Sequence, residues 1–322
     1  MVHIGFFAFN NCQAIDLVGP LEVFNKVNEH LDVPCYKIHI IGPSSAPIRT
    51  SSGLTVEVEH SYNSNFPPLD TLFVCGGPES GIRKIMNNSG VLCWLKTQSN
   101  IRRLASVCTG AFILAEADML HDRRATTHWR GCALLMQEYP STRIDDDALF
   151  VKDGNIYTSA GITAGIDLAL SMVEEDHGRE LSLKVAQDLV LYLRRPANQS
   201  QLSGALQAQF LAKDKIKIAL DWALANLTQN LCVDNLAAKA NMSPRNFARI
   251  FKKETGSTPA KVIEAARVQR AKELLGATDL PLERIADVSG FGSAETLRRI
   301  FNQAVRMAPG VYRKRSEKVY AG

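Results

Sequence analysis

The sequence contains no uninterrupted apolar run of the roughly 18–20 residues that a bilayer-spanning helix requires. Its first residues lack the basic segment, the long apolar segment and the cleavage site of a secretory signal peptide. The seven cysteines form no Cys-x-x-Cys pair, which disfavours a disulfide framework and favours a reducing compartment. We therefore expect a cytoplasmic protein that does not bind membranes.

Sequence motifs for metals and phosphates are also absent. There is no His-Glu-x-x-His motif, no Cys/His set with metal-ligand spacing and no glycine-rich phosphate loop. We therefore expect neither a bound metal nor a cofactor. The composition is 46% hydrophobic and 22% charged, which excludes a wholly disordered chain, and a length of 322 residues predicts two domains.

The charge is divided unevenly along the chain. Residues 1–212 contain 17 Lys and Arg against 22 Asp and Glu, a net charge of −5. Residues 213–322 contain 20 against 11, a net charge of +9. Such a basic block indicates a polyanionic partner, with nucleic acid as the usual candidate and a membrane surface as the alternative.

The first part of the chain alternates short apolar strands with helical segments, a pattern typical of an α/β doubly wound parallel sheet. The predicted strands cover residues 2–9, 37–41, 71–74 and 104–107, with a hairpin turn at Asp153-Gly154. The predicted helices cover residues 16–27, 109–117, 162–173 and 181–193, with Pro20 near the first turn of the first helix. We assign residues 1–195 to this domain, residues 196–212 to a linker and residues 213–322 to an all-α domain.

The all-α domain repeats itself at a spacing of 49–50 residues. Each copy predicts a short helix, a tight turn and a longer helix, and the copies are joined by a helix over residues 259–275. Ser243 and Ser293 are the predicted N-caps of the longer helices, and Pro244 occupies the first helical position of one of them. This is the layout of a helix-turn-helix unit, whose second helix enters the DNA major groove.

Helical periodicity divides each longer helix into an inward and an outward face. The spacing places Phe247, Ile250 and Phe251 inward in the first copy, and Leu297, Ile300 and Phe301 inward in the second. The candidate DNA-contacting residues are Arg245, Asn246, Ala248, Arg249, Lys252, Lys253, Glu295, Arg298, Arg299 and Asn302.

Further basic residues are candidates for neutralising phosphates, namely Lys253, Lys261, Arg267, Arg270 and residues 313–315. Glu295 is open to two interpretations, because its carboxylate either accepts a hydrogen bond from a cytosine amino group or repels phosphates. The alternative for the whole pattern is a helical adaptor with two solvated faces.

A cysteine in the first domain lies where a predicted strand turns into a helix. Cys108 follows the strand over residues 104–107, and a helix N-terminus at this position lowers the pKa of a thiol. Gly76 and Gly77 end another strand and offer amide N–H groups as an anion site. Asp16 and His128 are further candidates at the same sheet edge. The alternatives are a small core cysteine and structural roles for Asp16 and His128.

Residues 215–313 resemble the double helix-turn-helix domain of AraC-type transcription regulators. The resemblance is carried by residues 235–256, by residues 285–301 and by residues 309–313. It implies that both longer helices enter successive major-groove faces of one double-stranded promoter site, and it implies RNA polymerase as a partner. Base-contacting positions then fall on Arg245, Ala248, Arg249, Glu295, Arg298 and Arg299. Because Ala248 cannot make a polar base contact, the first helix depends on its two arginines.

Residues 1 to about 195 resemble the ThiJ/PfpI superfamily, which has a flavodoxin-like, class I glutamine-amidotransferase-like fold. Residues 15–24, Cys75-Gly-Gly-Pro78, the Cys108 turn and residues 123–129 carry this resemblance. Joined to an AraC-type domain, it is the layout of GlxA-like regulators. That layout implies a small-molecule effector such as an amino acid or quaternary amine, and a homodimer formed through the α/β domain.

The resemblance leaves two functions open. Peptidase-like members carry a histidine directly after the turn cysteine, where this chain has Thr109. Isonitrile-hydratase-like members combine a Cys-Thr pair with an early aspartate, and Cys108, Thr109 and Asp16 retain that set. We expect a ligand-responsive transcription regulator. The alternatives are a cysteine-dependent hydratase or amidase with a regulatory appendage, and a scaffold that binds acidic proteins or membranes through its basic domain.

Overall fold

The computed structural model describes residues 1–191, 195, 197, 201 and 214–321. The chain folds into two compact units, Met1–Gln201 and Leu202–Lys318. Most of the predicted linker, residues 196–212, lies outside the described residues. Of its described residues, Ala197 accepts a hydrogen bond from the Leu149 amide at 2.9 Å, and the Gln201 side chain donates to the Ala148 carbonyl at 3.1 Å. These two residues therefore continue the first unit.

A seven-stranded sheet forms the centre of the first unit. The strands of this unit are β1 (Val2–Phe7), β2 (Tyr36–Gly42), β3 (Ile48–Arg49), β4 (Thr55–Val56), β5 (His60–Ser61), β6 (Thr71–Val74), β7 (Arg103–Val107), β8 (Arg124–Ala125), β9 (Arg143–Ile144), β10 (Phe150–Asp153) and β11 (Ile156–Ser159). The main sheet has the order β10-β11-β7-β6-β1-β2-β5 and is parallel except for the β10/β11 pair. β3 pairs with β4, and β8 pairs with β9.

Helices connect the parallel strands. They are α1 (Ala14–His30), α2 (Glu79–Met86), α3 (Ser89–Thr97), α4 (Gly110–Glu116), α5 (Trp129–Glu138), α6 (Thr163–His177) and α7 (Arg179–Asp188). α1, α6 and α7 pack against one another, while α4 packs against α2 and α3. The predicted doubly wound α/β architecture is confirmed.

The central strands are buried along their whole length, as expected for a parallel sheet covered by helices. Every residue of β6 and β7 is buried. Phe6 of β1 stacks on Phe73 of β6 with ring centroids 5.0 Å apart, and both side chains are inaccessible to solvent. Full burial of such a side chain stabilises the fold by ~1.5–3 kcal/mol. The core therefore fixes the strand ends from which the connecting loops emerge.

Three local predictions for this unit need correction. α1 begins at Ala14, so Pro20 is its seventh residue and lies inside the helix, where the Asp16 carbonyl receives no N–H from it. Asp153 pairs with Ile156, so the hairpin turn consists of Gly154 and Asn155, with Gly154 at φ +63°. The last described helix of this unit begins at Arg179 and ends at Asp188, and residues 192 and 193 of the predicted helix lie outside the described part.

All the regular secondary structure among the described residues of the second unit is α-helical. Its helices are α8 (Asp214–Ala225), α9 (Val233–Lys239), α10 (Pro244–Thr255), α11 (Pro259–Ala277), α12 (Leu282–Val288), α13 (Ala294–Val305) and α14 (Pro309–Ala321). The predicted all-α domain is confirmed. No helix in the described ranges of this chain has both the length and the apolar composition of a membrane span.

The sequence repeat corresponds to a structural repeat. α9 and α12 each have 7 residues, and α10 and α13 each have 12. Each copy has its own hydrophobic core, which contains Phe247 and Phe251 in the first copy, and Leu297 and Phe301 in the second. α11 contributes side chains to both cores, so it holds the two copies together.

The turn between the helices of each copy uses left-handed backbone at equivalent positions. Asn241 has φ +51° in the first copy, and Gly290 has φ +81° in the second. Asparagine and glycine are the residues that adopt this conformation most readily. Ser293 caps α13 by accepting a hydrogen bond from the Thr296 amide at 3.1 Å. Ser243 occupies the N-cap position of α10 as predicted, but its side chain makes no capping hydrogen bond.

Candidate functional site

The second helix of each helix-turn-helix copy presents a polar face to solvent. The side chains of Phe247, Phe251, Leu297 and Phe301 are buried, whereas Ile250 and Ile300 are half-buried. On the opposite face the exposed residues are Arg245, Arg249, Lys252, Lys253, Glu295, Arg298, Arg299 and Asn302, and the half-buried residues are Asn246 and Ala248. The predicted division into inward and outward faces is confirmed, and contact with DNA remains a prediction.

The arginines of this face are only weakly engaged by the protein. Arg249 donates to the Asn246 side chain at 2.9 Å, and Arg298 lies 4.0 Å from Glu283 at an exposed position. Exposed pairs of this kind contribute only ~0–1 kcal/mol, so they do not prevent binding to a partner. The structure records no ion pair between Arg245 or Arg299 and any described residue. Glu295 lies in the first turn of α13, where a carboxylate stabilises the helix N-terminus.

Three of the predicted phosphate-binding arginines also have partners within the protein, and their contact with phosphates stays a prediction. Arg267 is half-buried and donates to the carbonyl of Leu227 at 2.8 and 3.0 Å. Arg270 pairs with Glu273 at 3.3 Å, and Arg313 donates to the Leu280 carbonyl at 2.5 Å. The Arg270–Glu273 pair has the i,i+3 spacing that the sequence shows, whereas the partners of Arg267 and Arg313 lie 40 and 33 positions away and require the tertiary structure. Lys253, Lys261 and the predicted tail residues Lys314 and Arg315 are exposed.

Cys108 occupies a sharp turn between β7 and α4, as predicted. Its φ of +57° is left-handed, a strained conformation that is uncommon for a residue with a side chain. The turn is held by hydrogen bonds from the Cys108 amide to the Ser159 carbonyl at 3.0 Å and from the Thr127 hydroxyl to the Cys108 carbonyl at 2.8 Å. A Cβ atom added to Gly161 would lie 2.3 Å from the Cys108 Cβ. The strained cysteine therefore depends on a glycine beside it.

Asp16 lies beside this cysteine and is fully buried. Its Oδ1 accepts a hydrogen bond from the Ile162 amide at 2.9 Å, while Oδ2 faces Gly76 and the Cys108 side chain. Burial raises the pKa of Asp16 to about 6. Asp16 therefore supports the cysteine turn from inside the domain.

One of the two glycine amides predicted as an anion site makes a hydrogen bond within the protein. The Gly77 amide donates to the Thr109 hydroxyl at 2.9 Å, and that hydroxyl donates to the Gly77 carbonyl at 2.7 Å. Asp16 Oδ2 lies beside Gly76 but has no hydrogen-bond partner, and no hydrogen bond from the Gly76 amide to a described residue is recorded. The prediction of a free N–H group is wrong for Gly77, because the Thr109 hydroxyl accepts from it, whereas for Gly76 it stays a prediction.

The predicted acidic thiol is also contradicted. Burial and the nearby Asp16 carboxylate raise the pKa of Cys108 to about 12. The backbone and side-chain hydrogen bonds of Thr109 lower the pKa of Cys108 but do not compensate for the loss of solvation. Cys108 is therefore a neutral thiol at physiological pH.

Because the Cys108 thiol is neutral, we expect it to be alkylated slowly. At about pH 7.5 we expect iodoacetamide to modify the exposed Cys93 and Cys232 at least about tenfold faster than Cys108. Peptide mass spectrometry over a time course measures the three rates in one sample. Faster modification of Cys108 than of either exposed thiol would show that it is ionised.

A cavity of about 500 Å³ opens next to the turn cysteine. Four predicted residues line it, namely Gly77, Cys108, Thr109 and His128. Asp16 and Gly76 do not line the cavity, because they lie in the interior of the domain, beside the Cys108 side chain. His128 is the N-cap of α5, and its Nδ1 accepts a hydrogen bond from the Arg130 amide at 3.4 Å. Burial lowers the pKa of His128, which favours the neutral imidazole.

The cavity contains charged residues that sequence reasoning missed. Arg83, Glu79 and Arg130 line it together with apolar residues, including Phe112, Leu134 and Ile162. Arg83 is paired with Glu79 and, in a two-pronged contact, with Glu138. The exposed Arg130 extends over the Trp129 ring at 4.9 Å, and no ion pair with a described residue is recorded for it. The only sequence signal for Arg130 is its position two residues after His128.

Two protein-family models match the chain. The DJ-1/PfpI family matches residues 2–175, more than half of the chain, and the Helix-turn-helix domain matches residues 236–315. Each match falls within one compact unit.

Curated relatives with both parts are transcription regulators by name. The chain is 29% identical over 308 residues to the HTH-type transcriptional regulator GbdR of Pseudomonas aeruginosa, covering 95% of this chain and 82% of GbdR. It is 27% identical over 322 residues to the HTH-type transcriptional regulator GlxA of Rhizobium meliloti, covering 97% of this chain and 96% of GlxA.

The first unit is also similar to an enzyme. It is 34% identical over 175 residues to an isonitrile hydratase of Pseudomonas putida, covering 54% of this chain and 72% of that enzyme. Among solved structures, a ThiJ/PfpI family protein from Pseudomonas syringae matches with a TM-score of 0.55 and 23% identity, covering 74% of this chain and 89% of that protein. At this identity the structural match supports the fold alone.

Proposed function

The chain belongs to the DJ-1/PfpI family and is an AraC-type transcription regulator, and from that premise we propose that a small molecule in the Cys108 cavity controls its binding to promoter DNA. The observation that carries the DNA-binding part is the pair of equivalent helices, α10 and α13, with outward arginines that the protein engages weakly. The proposed boundaries are a sensing domain over residues 1–195, a linker over 196–212 and a DNA-binding domain over 213–322.

The proposed DNA contacts divide into base reading and phosphate neutralisation. Arginine forms paired hydrogen bonds with guanine O6 and N7, which makes Arg245, Arg249, Arg298 and Arg299 the proposed base readers. Lys252, Lys253 and Lys261 are the proposed phosphate contacts. Asn246, Ala248, Glu295 and Asn302 complete the proposed interface. To test the proposed DNA contacts, the protein is titrated with a duplex from the region upstream of its own gene and with a scrambled duplex. Equal affinity for the two duplexes contradicts the proposal.

The charge pattern of the cavity supports an effector with a carboxylate. Glu79 and Glu138 neutralise Arg83, whereas Arg130 remains available to an anionic group. Phe112, Leu134 and Ile162 offer apolar contacts. We therefore propose an amino acid or a carboxylated quaternary amine as the effector. Such a molecule shifts DNA binding only if it binds the two states of the protein with different affinity.

The Arg130→Gln variant tests this assignment. Loss of a charge-assisted hydrogen bond to a carboxylate costs ~1.5–3 kcal/mol, so we expect effector affinity to fall by about 10- to 150-fold. Isothermal titration with a panel of amino acids and betaines measures the change, and DNA affinity without effector controls for folding. Unchanged affinity for the active compound would exclude Arg130 from the site.

A cysteine-dependent hydratase or amidase is the second candidate function. It is favoured by the retained Cys108, Thr109 and Asp16 and by the similarity to isonitrile hydratase. The neutral state of the Cys108 thiol argues against it. Turnover of an isonitrile by the wild-type chain but not by Cys108→Ser would establish this activity.

The proposed regulator acts on double-stranded promoter DNA in the cytoplasm as a homodimer that contacts RNA polymerase. A dimer doubles the number of reading helices on one promoter, and the linkage of two sites raises the overall affinity. Sedimentation of the free chain and of its DNA complex measures the stoichiometry.

A further inference from the structure

Three histidines and a glutamate cluster at one edge of the main sheet. His3 belongs to β1, His39 to β2 and His60 to β5, and Glu59 directly precedes β5. None of the four lines the Cys108 cavity. Histidine and glutamate side chains are common ligands of Zn²⁺, so this cluster is a candidate metal centre.

The parallel pairing of the edge strand brings these residues together. Ile41 of β2 pairs with His60 of β5, and the Glu59 amide donates to the Ile40 carbonyl at 3.0 Å. His39 and Glu59 are twenty positions apart in sequence, which explains why no metal motif was recognised. The rings of His3 and His39 stack with centroids 5.2 Å apart.

The candidate ligand atoms converge. His39 Nδ1 lies 3.1 Å from one Glu59 carboxylate oxygen, and His60 Nε2 lies 3.4 Å from the other. One ligand atom from each of these residues lies within 4.8 Å of the other two, the single such group found among the described residues. Tetrahedral Zn²⁺ with ligand distances of ~2.0–2.2 Å separates its ligand atoms by ~3.3–3.6 Å. Small side-chain movements therefore close the site.

Two features of the cluster favour metal binding over a chance grouping of polar side chains. His60 Nε2 is buried and has no hydrogen-bond partner. The Phe66 ring stacks on His60 with centroids 5.4 Å apart, which restricts the imidazole. A hydrogen-bonded chain of His3, His39 and Glu59 satisfies His39, whereas His60 Nε2, 3.4 Å from the Glu59 carboxylate, makes no hydrogen bond. A buried polar atom without a partner is costly, and a metal ion would remove that cost.

We propose that His39 Nδ1, the Glu59 carboxylate and His60 Nε2 bind a divalent transition-metal ion, with Zn²⁺ as the preferred ion and water as the fourth ligand. His39 Nε2 lies 2.9 Å from His3 Nδ1, the kind of contact that orients a metal-binding imidazole from behind. The Glu59 side chain is 44% exposed, which gives the ion a path from solvent. Binding joins the two-residue edge strand β5 to β2.

Metal titration of the tag-free, full-length chain tests the proposal. Chelator-treated protein is titrated with Zn²⁺ in competition with a chromogenic chelator, and with Co²⁺ as a spectroscopic probe. We expect one ion per chain with tetrahedral Co²⁺ absorption and no thiolate-to-cobalt charge-transfer band. Glu59→Gln and His60→Asn are each expected to weaken binding at least about tenfold.

The matched control is His121→Asn, because His121 is an exposed histidine between Asp118 and Asp122. We expect this variant to bind Zn²⁺ like the wild type. Zn²⁺ should also raise the unfolding temperature of the wild type and of the control, but not of His60→Asn. Wild-type affinity in both Glu59→Gln and His60→Asn, or a thiolate band in the wild-type Co²⁺ spectrum, would overturn the proposal.

Discussion

Replacing Arg299 with alanine is expected to weaken binding to the specific duplex by about 5- to 150-fold, equivalent to ~1–3 kcal/mol. Arg299 is exposed on α13, next to Arg298 and on the face opposite the buried Leu297 and Phe301. Its removal should therefore delete the proposed base contact without disturbing the core. The fold should be retained, because exposed substitutions of this kind change stability by only ~0.5 kcal/mol.

Two further variants separate base reading from simple charge. Arg299→Lys keeps the positive charge but cannot make the paired contact, so it should lose specificity while retaining affinity for unrelated DNA. Arg306→Gly removes a charge at the other end of α13, at a left-handed position that suits glycine. Fluorescence anisotropy on a duplex selected from a random pool measures all three. If Arg299→Ala binds like Arg306→Gly, the base-reading role of α13 is wrong.

Substitution of Gly290 by alanine is expected to destabilise the second helix-turn-helix copy by ~2–5 kcal/mol. Gly290 has φ +81°, and an added Cβ would lie 2.0 Å from the Leu227 carbonyl oxygen. That carbonyl also accepts a hydrogen bond from the Arg267 side chain, so it cannot move away without losing this contact. The substitution therefore combines backbone strain with a backbone clash.

Gly292 provides the matched control, because it has φ +72° but no atom within 4 Å of an added Cβ. Gly292→Ala should cost only the backbone strain of ~1–2 kcal/mol. Hydrogen exchange of peptides from α12 and α13 in the full-length chain measures both effects locally. Equal protection from hydrogen exchange in the two variants would show that the clash with the Leu227 carbonyl adds nothing to the destabilisation.

The helical repeat could be predicted from the sequence because its signals are local. Apolar spacing, the prolines at the first helical position and the glycine of the second turn all act within a few residues of the chain. Each copy accordingly has the predicted short helix followed by a longer one, and the inward residues Phe247 and Phe301 are buried. The parallel sheet could be predicted for a similar reason, because it follows from the repeated alternation of strands and helices along the chain.

The ionisation states and side-chain contacts of the candidate sites could not be predicted in the same way, because they depend on burial and on partners that are distant in sequence. The pKa of Cys108 is raised because the chain covers the thiol and places Asp16 beside it. The Arg267 side chain donates to a backbone carbonyl forty positions away in sequence. His60 lies near His39 only because strands β2 and β5 pair. Each of these outcomes requires the tertiary structure.

The central claim is that two equivalent helices read one duplex through outward arginines. Guanine N7 methylation interference on the selected duplex tests it most directly in the wild-type chain and in Arg249→Ala and Arg299→Ala. We expect two clusters of interfering guanines about one helical turn (~10 base pairs) apart, one lost in each variant. A pattern that neither variant alters, or interference spread evenly along the duplex, would contradict the claim.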